Sequence, residues 1–233
     1  MTVVTLHGAH LRSRSQEQPD RDGHGGVAAL AFLAARTARS LTTAAADKTA
    51  WRTTLVRLRA VLPSGQSARA SLLAARRLVA SVDLADDPVV SAFWSLEGEI
   101  DTKPVLLALH ALGVPTALPR MQGRGRPLRF HHWLPGDPLE AGPFQVRQPL
   151  AEAPIVEPAI MLTPLLAFDR QGYRLGWGGG FYDRTIEERR AVPPPLTVIG
   201  YAFACQEVEQ VPVEPFDQRL DMVVTEQDIR HFR

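Results

Sequence analysis

The residues with the clearest chemical potential lie at 172–184, where the sequence reads GYRLGWGGGFYDR. Four of the five residues 176–180 are glycines, with Arg174 before them and Asp183 after them. Glycine inside a helix or strand costs about 0.5–1 kcal/mol relative to alanine, so the cluster needs a local reason. Glycines allow several backbone N–H groups to point toward one anion at the start of a helix. The segment therefore predicts a phosphate-binding loop, and a glycine-rich hairpin tip is the alternative.

Two aspartates could hold a metal ion beside such a phosphate. Asp183 follows the glycines closely, and Asp217 lies in the C-terminal segment PVEPFDQRLD. Mg²⁺ is commonly bound by one or two carboxylates together with substrate phosphates. Each aspartate taken alone is more typical of a helix cap or a solvated charge. The loop also lacks the Lys-Ser/Thr ending of a P-loop and does not follow its strand directly, so it matches neither common nucleotide fingerprint.

The net charge of +1 conceals an uneven distribution of charge along the chain. Residues 1–80 carry 12 Lys and Arg against 4 Asp and Glu, whereas residues 81–233 carry 14 against 21. The basic part could supply cations to a phosphate site, bind nucleic acid, or form a solvated helix surface. Nucleic-acid binding would weaken steeply with salt. We rank it below the phosphate site, because the sequence has no recognised nucleic-acid motif and only 7% aromatic residues.

The composition excludes several classes of protein. With 233 residues, 45% of them apolar, the chain is long enough to bury a substantial core. It has no run of about 18 apolar residues that would span a membrane, and its N-terminus lacks the features of a secretory signal. The single cysteine, Cys205, excludes an intramolecular disulfide and a Cys-rich zinc site. His131 and His132 are adjacent and would point to opposite faces of a strand, which does not favour a metal site. We expect a cytoplasmic protein.

Helical and strand-like segments alternate along most of the chain. We expect helices at WRTTLVRLRAVL, SARASLLAARRLVASV, PVLLALHALG and YDRTIEERR. The first of these has one apolar face, formed by Trp51, Leu55, Leu58 and Leu62.

Short apolar runs predict the strands of one sheet. They are VVSAFWS, VPTALP, AIMLTPLLAF, LTVIGYAF and a short terminal DMVVT, with PLRFHHW in a hairpin. Residues 134–158 are predicted to be loop-rich. Buried strands alternating with helices predict an α/β fold, with a mostly parallel central sheet in a three-layer α/β/α arrangement. Residues 1–45 are expected to form a disordered or weakly helical extension, and residues 46–233 a single α/β domain.

Four ordered segments together resemble the 5-formyltetrahydrofolate cyclo-ligase family, also called the 5,10-methenyltetrahydrofolate synthetases. GYRLGWGGGFYDR is similar to the glycine signature of that family, and KTAWR (48–52) looks like its Lys-x-x-x-Arg helix start. SLEGEIDT (95–102) and VPVEPFDQRLDMVVT (211–225) are similar to two further family segments. The resemblance covers roughly residues 48–226, and residues 1–45 match nothing in the family.

The resemblance implies an enzyme that converts 5-formyltetrahydrofolate to 5,10-methenyltetrahydrofolate with Mg²⁺, consuming ATP as co-substrate and releasing ADP and phosphate. Phosphorylation of the formyl oxygen would activate the formyl carbon for ring closure, and the protein would position the reactants and neutralise charge. The implied partners are these small molecules, without nucleic acid or membrane, and we expect a monomer. The alternative is a family paralogue that binds ATP but has a different substrate or a regulatory role.

The resemblance also implies roles for individual residues. Lys48, Arg52 and Arg174 would be the catalytic cations on the phosphates, and Lys48 and Arg52 share a helix face because they lie four residues apart. Asp183 and Asp217 would hold Mg²⁺. The complete implied ATP-binding set is Lys48, Arg52, Arg174, Leu175, Gly176, Trp177, Gly178, Gly179, Gly180, Phe181 and Tyr182.

The folate is implied to bind Glu99, Trp177 and Phe181. The Glu99 carboxylate would accept paired hydrogen bonds from the aminopyrimidine of the pterin. Trp177 and Phe181 would form apolar walls, and Phe144 in AGPFQV is a further candidate. Some relatives carry a Lys or Arg within the glycine loop where this chain has Trp177 and Gly179, so here the three predicted cations would carry more of the phosphate binding.

Overall fold

A mostly parallel sheet of eight strands forms the centre of the protein. The computed structural model describes residues 48–59, 64–86, 88–193 and 195–232, so the predicted extension at 1–45 lies outside the described residues. The helices are α1 (Lys48–Arg59), α2 (Ser64–Ser81), α3 (Lys103–Ala111) and α4 (Phe181–Arg190). The strands are β1 (Val90–Ser91), β2 (Thr116–Met121), β3 (Leu128–His132), β4 (Leu139–Ala141), β5 (Arg147–Pro149), β6 (Ile155–Val156), β7 (Ile160–Thr163), β8 (Ala167–Phe168), β9 (Arg174–Leu175), β10 (Thr197–Tyr201), β11 (Met222–Val224) and β12 (Ile229–His231).

The order of strands in the central sheet is β12-β11-β10-β7-β1-β2-β3-β6. The five inner strands, from β11 to β2, are parallel, whereas β12, β3 and β6 pair antiparallel at the edges. Two further hairpins, β4–β5 and β8–β9, lie outside this sheet. Inner strands are covered on both faces, which explains why the sequence shows them as short unbroken apolar runs.

The helices pack on both faces of the sheet, so the predicted α/β fold with a mostly parallel sheet is confirmed. Along β7, Ile160 and Leu162 pack on the face that α2 and α3 cover, whereas Met161 packs on the opposite face with Ile186 of α4. This alternation follows from the two-residue period of a strand.

Helix α1 lies over the β8–β9 hairpin instead of the central sheet. Its Trp51 and Leu55 are buried in a separate apolar cluster with Leu166 and Leu175 of the hairpin region. The side chains of Leu58 and Leu62, which we predicted on the same face, lie outside the described residues. The glycine loop begins directly after β9, so this packing brings α1 close to it.

The structure differs from the sequence-based prediction in three places. AIMLTPLLAF forms two strands instead of one, because Pro164 has no N–H to donate to a sheet. The region at 134–158 contains the short strands β4, β5 and β6. DMVVT is not the terminal strand, since β12 follows it and pairs antiparallel. None of the helices in the described part of the chain is both long and apolar enough to cross a bilayer.

Candidate active site

The glycine loop (residues 176–180) connects β9 to α4, so it lies at a strand–loop–helix junction. The tip of the preceding hairpin is a different segment, held by the fully buried Asp169. Its carboxylate accepts hydrogen bonds from the backbone N–H groups of Gln171 (2.9 Å), Tyr173 (3.0 Å) and Val211 (3.0 Å). The glycines are therefore not a hairpin tip, and Asp169 fixes the turn that leads the chain into them.

Two loop positions require glycine. Gly178 has φ +97° and Gly180, which precedes the first residue of α4, has φ +63°. Residues other than glycine rarely adopt a backbone conformation with positive φ. The backbone N–H groups of Gly178, Gly179 and Gly180 donate no hydrogen bond within the described part of the chain. Among the described residues, these three N–H groups thus have no acceptor at the start of a helix, which is the arrangement expected for an anion site.

Arg52 of α1 reaches across to this loop. Its Nε donates to the carbonyl oxygen of Gly176 at 2.9 Å. A Cβ atom at Gly178 would lie 3.0 Å from the Arg52 Cζ, so the guanidinium packs closely against the loop backbone. A positive charge from the N-terminal part of the described chain therefore lies beside the free N–H groups.

Arg174 and Asp183 form a largely buried ion pair below the loop. The Arg174 side chain is 3% exposed, and its Nη2 donates to Oδ1 of Asp183 at 2.8 Å. The same Oδ1 accepts from the backbone N–H of Gln218 at 3.1 Å, and Arg174 Nη1 donates to the Gln218 carbonyl at 2.6 Å. Burial lowers the pKa of the Arg174 guanidinium, while the charges of Asp183 and Asp217 partly offset that effect.

Lys48 pairs with the C-terminal segment. Its Nζ lies 2.6 Å from Oδ2 of Asp217 and 2.7 Å from Oε2 of Glu214. Asp217 Oδ2 also accepts the backbone N–H of Glu214 at 2.7 Å. A predicted phosphate-binding cation and a predicted metal ligand therefore contact each other, and Glu214 joins them. Lys48 and Asp217 are mostly shielded from solvent, with side chains 12% and 13% exposed.

Glu99 faces the glycine loop from the β1–α3 segment. Its Oε1 accepts a hydrogen bond from Trp177 Nε1 at 2.9 Å, and its Oε2 accepts the backbone N–H of Leu96 at 2.8 Å. Glu99 is buried, whereas Trp177 is 44% exposed. Burial, and secondarily the charge of Glu99, raises the pKa of the Tyr182 hydroxyl. A buried carboxylate, an indole and a phenol thus line one side of the loop.

The remaining predicted site residues differ in how they can contribute. The rings of Phe181 and Phe144 meet edge to face with centroids 6.4 Å apart, and Phe144 is 70% exposed. The Leu175 side chain is buried in the cluster below α1, so only its backbone could contact a ligand. His131 lies away from this set, with its Nδ1 2.7 Å from the Ala153 carbonyl oxygen.

Sequence reasoning missed several residues that shape the site. Arg184 Nη2 donates to the Gly179 carbonyl at 2.6 Å, a contact that its position in the first turn of α4 could have suggested. Glu214 and the backbone of Gln218 contact Lys48 and Arg174, which are far away in sequence. No local sequence pattern points to these pairs.

Comparisons with known proteins find relatives that match most of the chain. A model of the 5-formyltetrahydrofolate cyclo-ligase family matches residues 44–226. The 5-formyltetrahydrofolate cyclo-ligase of Escherichia coli K12 is 35% identical over 175 residues, which cover 72% of this chain and 94% of that protein. That of Haemophilus influenzae is 31% identical over 173 residues, covering 71% and 90%.

Two solved structures share the fold. The 5,10-methenyltetrahydrofolate synthetase of Aquifex aeolicus superposes with a TM-score of 0.68 at 26% identity, covering 80% of this chain and 93% of that chain. The Mycoplasma pneumoniae protein of that name superposes with a TM-score of 0.62 at 19% identity, covering 78% and 99%. The match of the family model over most of the length, together with these relatives, shows that the chain belongs to the 5-formyltetrahydrofolate cyclo-ligase family.

Proposed function

We propose that this protein converts 5-formyltetrahydrofolate to 5,10-methenyltetrahydrofolate, with consumption of ATP and release of ADP and phosphate. The observation that carries the proposal is a set of three backbone N–H groups, at Gly178–Gly180, that donate no hydrogen bond within the described residues. Arg52 and the buried Glu99 both contact the same loop, and the chain is a member of this family. An anion site and a hydrogen-bond acceptor for a heterocycle thus share one loop.

The proposed reaction explains why ATP is needed. The formyl oxygen attacks the γ-phosphorus and displaces ADP, which leaves an iminium phosphate at nitrogen 5. The amine at position 10 then attacks the formyl carbon and loses its proton, and the carbon–oxygen bond breaks to release inorganic phosphate. A formamide oxygen is a poor leaving group, whereas a phosphate is a good one. The protein has to align the formyl oxygen with the γ-phosphorus and the leaving oxygen of ADP, keep nitrogen 10 close to the formyl carbon, and stabilise negative charge.

The chain offers suitable groups for the triphosphate. The N–H groups of Gly178–Gly180 would donate to phosphate oxygens, and the start of α4 adds a favourable field. Arg52 lies against the loop through its bond to Gly176, so its guanidinium is placed to contact the same anion. Lys48 and Arg174 add charge from the side of the C-terminal segment.

The two aspartates have the chemistry that Mg²⁺ requires. Asp183 Oδ2 and Asp217 Oδ1 accept no hydrogen bond within the described part of the chain, whereas the other oxygen of each carboxylate is engaged. Hard oxygen donors next to a phosphate site suit Mg²⁺, which usually keeps several waters. The ion would neutralise phosphate charge; Asp183 and Asp217 would hold it.

Binding of the nucleotide then exchanges one set of ion pairs for another. Without ligand, Lys48 pairs with Asp217 and Arg174 pairs with Asp183. With MgATP bound, Lys48 and Arg174 would each contact phosphate oxygens. Asp183 and Asp217 would hold the same metal ion. The charges are thus balanced in both states, so the buried Arg174 is not left without a counter-ion in either.

The other predictions from composition are part of the same proposal. We propose a cytoplasmic, monomeric enzyme formed by one domain at residues 46–233, without a nucleic-acid partner. Its substrates would be the folate and ATP alone.

The first experiment follows the absorbance of the methenyl product with purified protein and 5-formyltetrahydrofolate. Product should form only when both ATP and Mg²⁺ are present, and a chelator should stop it. ATP hydrolysis without methenyl formation would support the assignment of the nucleotide site but show that 5-formyltetrahydrofolate is not the substrate. If the protein neither forms product nor binds a non-hydrolysable ATP analogue, the proposal as a whole is refuted.

A further inference from the structure

The indole of Trp177 binds the carboxylate that we assign to the folate. Trp177 Nε1 donates to Glu99 Oε1 at 2.9 Å, and the backbone N–H of Leu96 donates to Glu99 Oε2 at 2.8 Å. Each carboxylate oxygen therefore has a donor from the protein itself, and only 8% of Glu99 is exposed. An aminopyrimidine that donates to both oxygens at once would compete with the indole for Oε1.

Glu99 is held in place by its own turn. The backbone N–H of Glu99 donates to the Leu96 carbonyl at 3.0 Å, and the Leu96 N–H donates back to the Glu99 carboxylate. Ser95 Oγ donates to the Ile100 carbonyl at 2.8 Å and ties the two ends of the same turn together. The carboxylate therefore has a defined position before any ligand binds.

Trp177 has more freedom than its partner. Its side chain is 44% exposed, and it lies between two glycines, Gly176 and Gly178. A Cβ atom at Gly176 would meet no other atom within 4 Å, so open space adjoins the preceding residue. A half-exposed side chain can change rotamer without disturbing a packed core. When a ligand reaches Glu99, we therefore expect the indole to move and the carboxylate to stay.

We propose that Trp177 is a positioning residue for the folate that acts through Glu99. In the ligand-free protein the indole holds the carboxylate, and the pterin binds by displacing it. The aminopyrimidine then donates to Glu99, while the displaced indole packs against the pterin ring. This inference rests on the proposed function, because it concerns the folate of that reaction.

Such a displacement makes the site selective for the aminopyrimidine. A pterin replaces the lost indole hydrogen bond with its own donors. A flat ring without these donors would leave Oε1 of a buried carboxylate without a partner, which is costly. The bond between Trp177 and Glu99 therefore lowers the affinity for every ligand of this position, and most strongly for those that cannot donate to Glu99.

The test compares the affinity of wild type and Trp177→Phe for 5-formyltetrahydrofolate, measured by calorimetry without ATP. Phenylalanine keeps an aromatic wall but cannot donate a hydrogen bond. We expect Trp177→Phe to bind the folate about three- to tenfold more tightly, because the pterin no longer has to break a hydrogen bond to a charged group. Unchanged or weaker binding would overturn the inference, since the indole would then support the folate instead of competing with it.

A double-mutant cycle supplies the matched control. On the Glu99→Ala background, Trp177→Phe should change the Kd of the folate by less than about twofold, because no carboxylate is left to compete for. The same gain in affinity on both backgrounds would show that Trp177 does not act through Glu99.

The indole N–H signals in the NMR spectrum of isotope-labelled protein report the displacement directly. The Trp177 signal is identified by its loss in Trp177→Phe. Saturation with 5-formyltetrahydrofolate should remove the downfield shift that the bond to the carboxylate causes, as Glu99→Ala does without ligand. A signal that keeps its position at saturation would contradict displacement.

These measurements separate the inference from the proposed reaction. If the folate binds in the expected pattern but no methenyl product forms, the reaction is wrong and the role of Trp177 stands. If product forms but Trp177→Phe gains no affinity, the reaction stands and the role of Trp177 is wrong. If neither protein binds the folate, both are wrong.

Discussion

At the scale of single residues, the site is defined by charges that are already paired. Arg174 is buried against Asp183, and Lys48 contacts both Asp217 and Glu214. A buried charge without a partner is costly, which explains why Arg174 and Lys48 are paired with carboxylates in the structure. In the proposed function, the carboxylates would hold the cations in place until MgATP binds.

Asp183 should therefore matter for stability as well as for activity. We expect Asp183→Ala to abolish methenyl formation and to lower the free energy of unfolding by about 2–3 kcal/mol, because it leaves Arg174 without its counter-ion. Asp183→Asn should also be inactive, with a smaller loss of stability.

The measurement is urea denaturation alongside the absorbance assay. Glu187→Ala is the control, since Glu187 is an exposed acid on the same helix. An active Asp183→Ala protein would exclude Asp183 from metal binding, and an inactive variant as stable as wild type would show that the ion pair contributes nothing to stability.

Glu99 should act on the folate and not on ATP. We expect Glu99→Gln to raise KM for 5-formyltetrahydrofolate about 10- to 100-fold, because hydrogen bonds to a charged group contribute about 1.5–3 kcal/mol. The Kd of a non-hydrolysable ATP analogue should stay within about twofold. Glu97→Gln, an exposed acid in the same segment, is the control. Equal losses of ATP and folate affinity would instead indicate that Glu99 acts by holding Trp177 and the loop.

At the scale of elements, the site depends on how α1 and the β8–β9 hairpin meet. Trp51 and Leu55 pack on Leu166 and Leu175, and this contact places Arg52 against the glycine loop. The cations of α1 are thus positioned by an apolar interface on the same helix, in which Trp51 directly precedes Arg52 and Leu55 follows it by three residues. The glycines allow positive φ angles and the close approach of the Arg52 guanidinium to the loop backbone, in addition to leaving space for a ligand.

Two alanine substitutions distinguish the need for a glycine backbone conformation from the need for open space in the glycine loop. Gly178→Ala should lower the free energy of unfolding by about 1–2 kcal/mol, because φ is +97° and the new Cβ would press on the Arg52 guanidinium. Gly176→Ala should be nearly neutral for stability, since a Cβ there meets nothing within 4 Å. Urea denaturation measures both effects. Equal stability losses would contradict the described loop geometry. An ATP analogue titrated into the Gly176→Ala protein tests whether the space at residue 176 is needed for phosphate.

At the scale of the whole molecule, bound nucleotide should hold the separate parts of the site together. The glycine loop, α1 and the C-terminal segment meet through a few polar contacts, and MgATP would bridge all three. A ligand at about 100 times its Kd stabilises the native state by about 2.7 kcal/mol. For a chain of this size, we expect Tm to rise by about 5–10 °C.

Thermal unfolding with ATP, Mg²⁺ or both tests this prediction. The full shift should require both components, and Asp217→Asn should lose most of the part that depends on Mg²⁺. Mg²⁺ alone should have little effect, because its phosphate ligands would be absent. A shift of the same size with ATP in the presence of a chelator would argue against the two aspartates as metal ligands.

Sequence by itself determined the family and the α/β class. Short apolar runs alternating with amphipathic helices reflect local periodicity, and the four family segments are local strings, so neither requires knowledge of the fold. The Gly176–Gly180 loop could be predicted for the same reason, because its glycines are consecutive or nearly so in the sequence. Elements with weak periodicity, such as β12 and the short strands at 134–158, could not be predicted because pairing with neighbours defines them.

Only the tertiary structure decided which side chains meet. Lys48 contacts Asp217 across 169 residues, and Trp177 contacts Glu99 across 78, because the strand order and the position of α1 bring distant segments together. The N–H groups of Gly178–Gly180, which find no acceptor in the described part of the chain, likewise depend on packing and not on any local pattern.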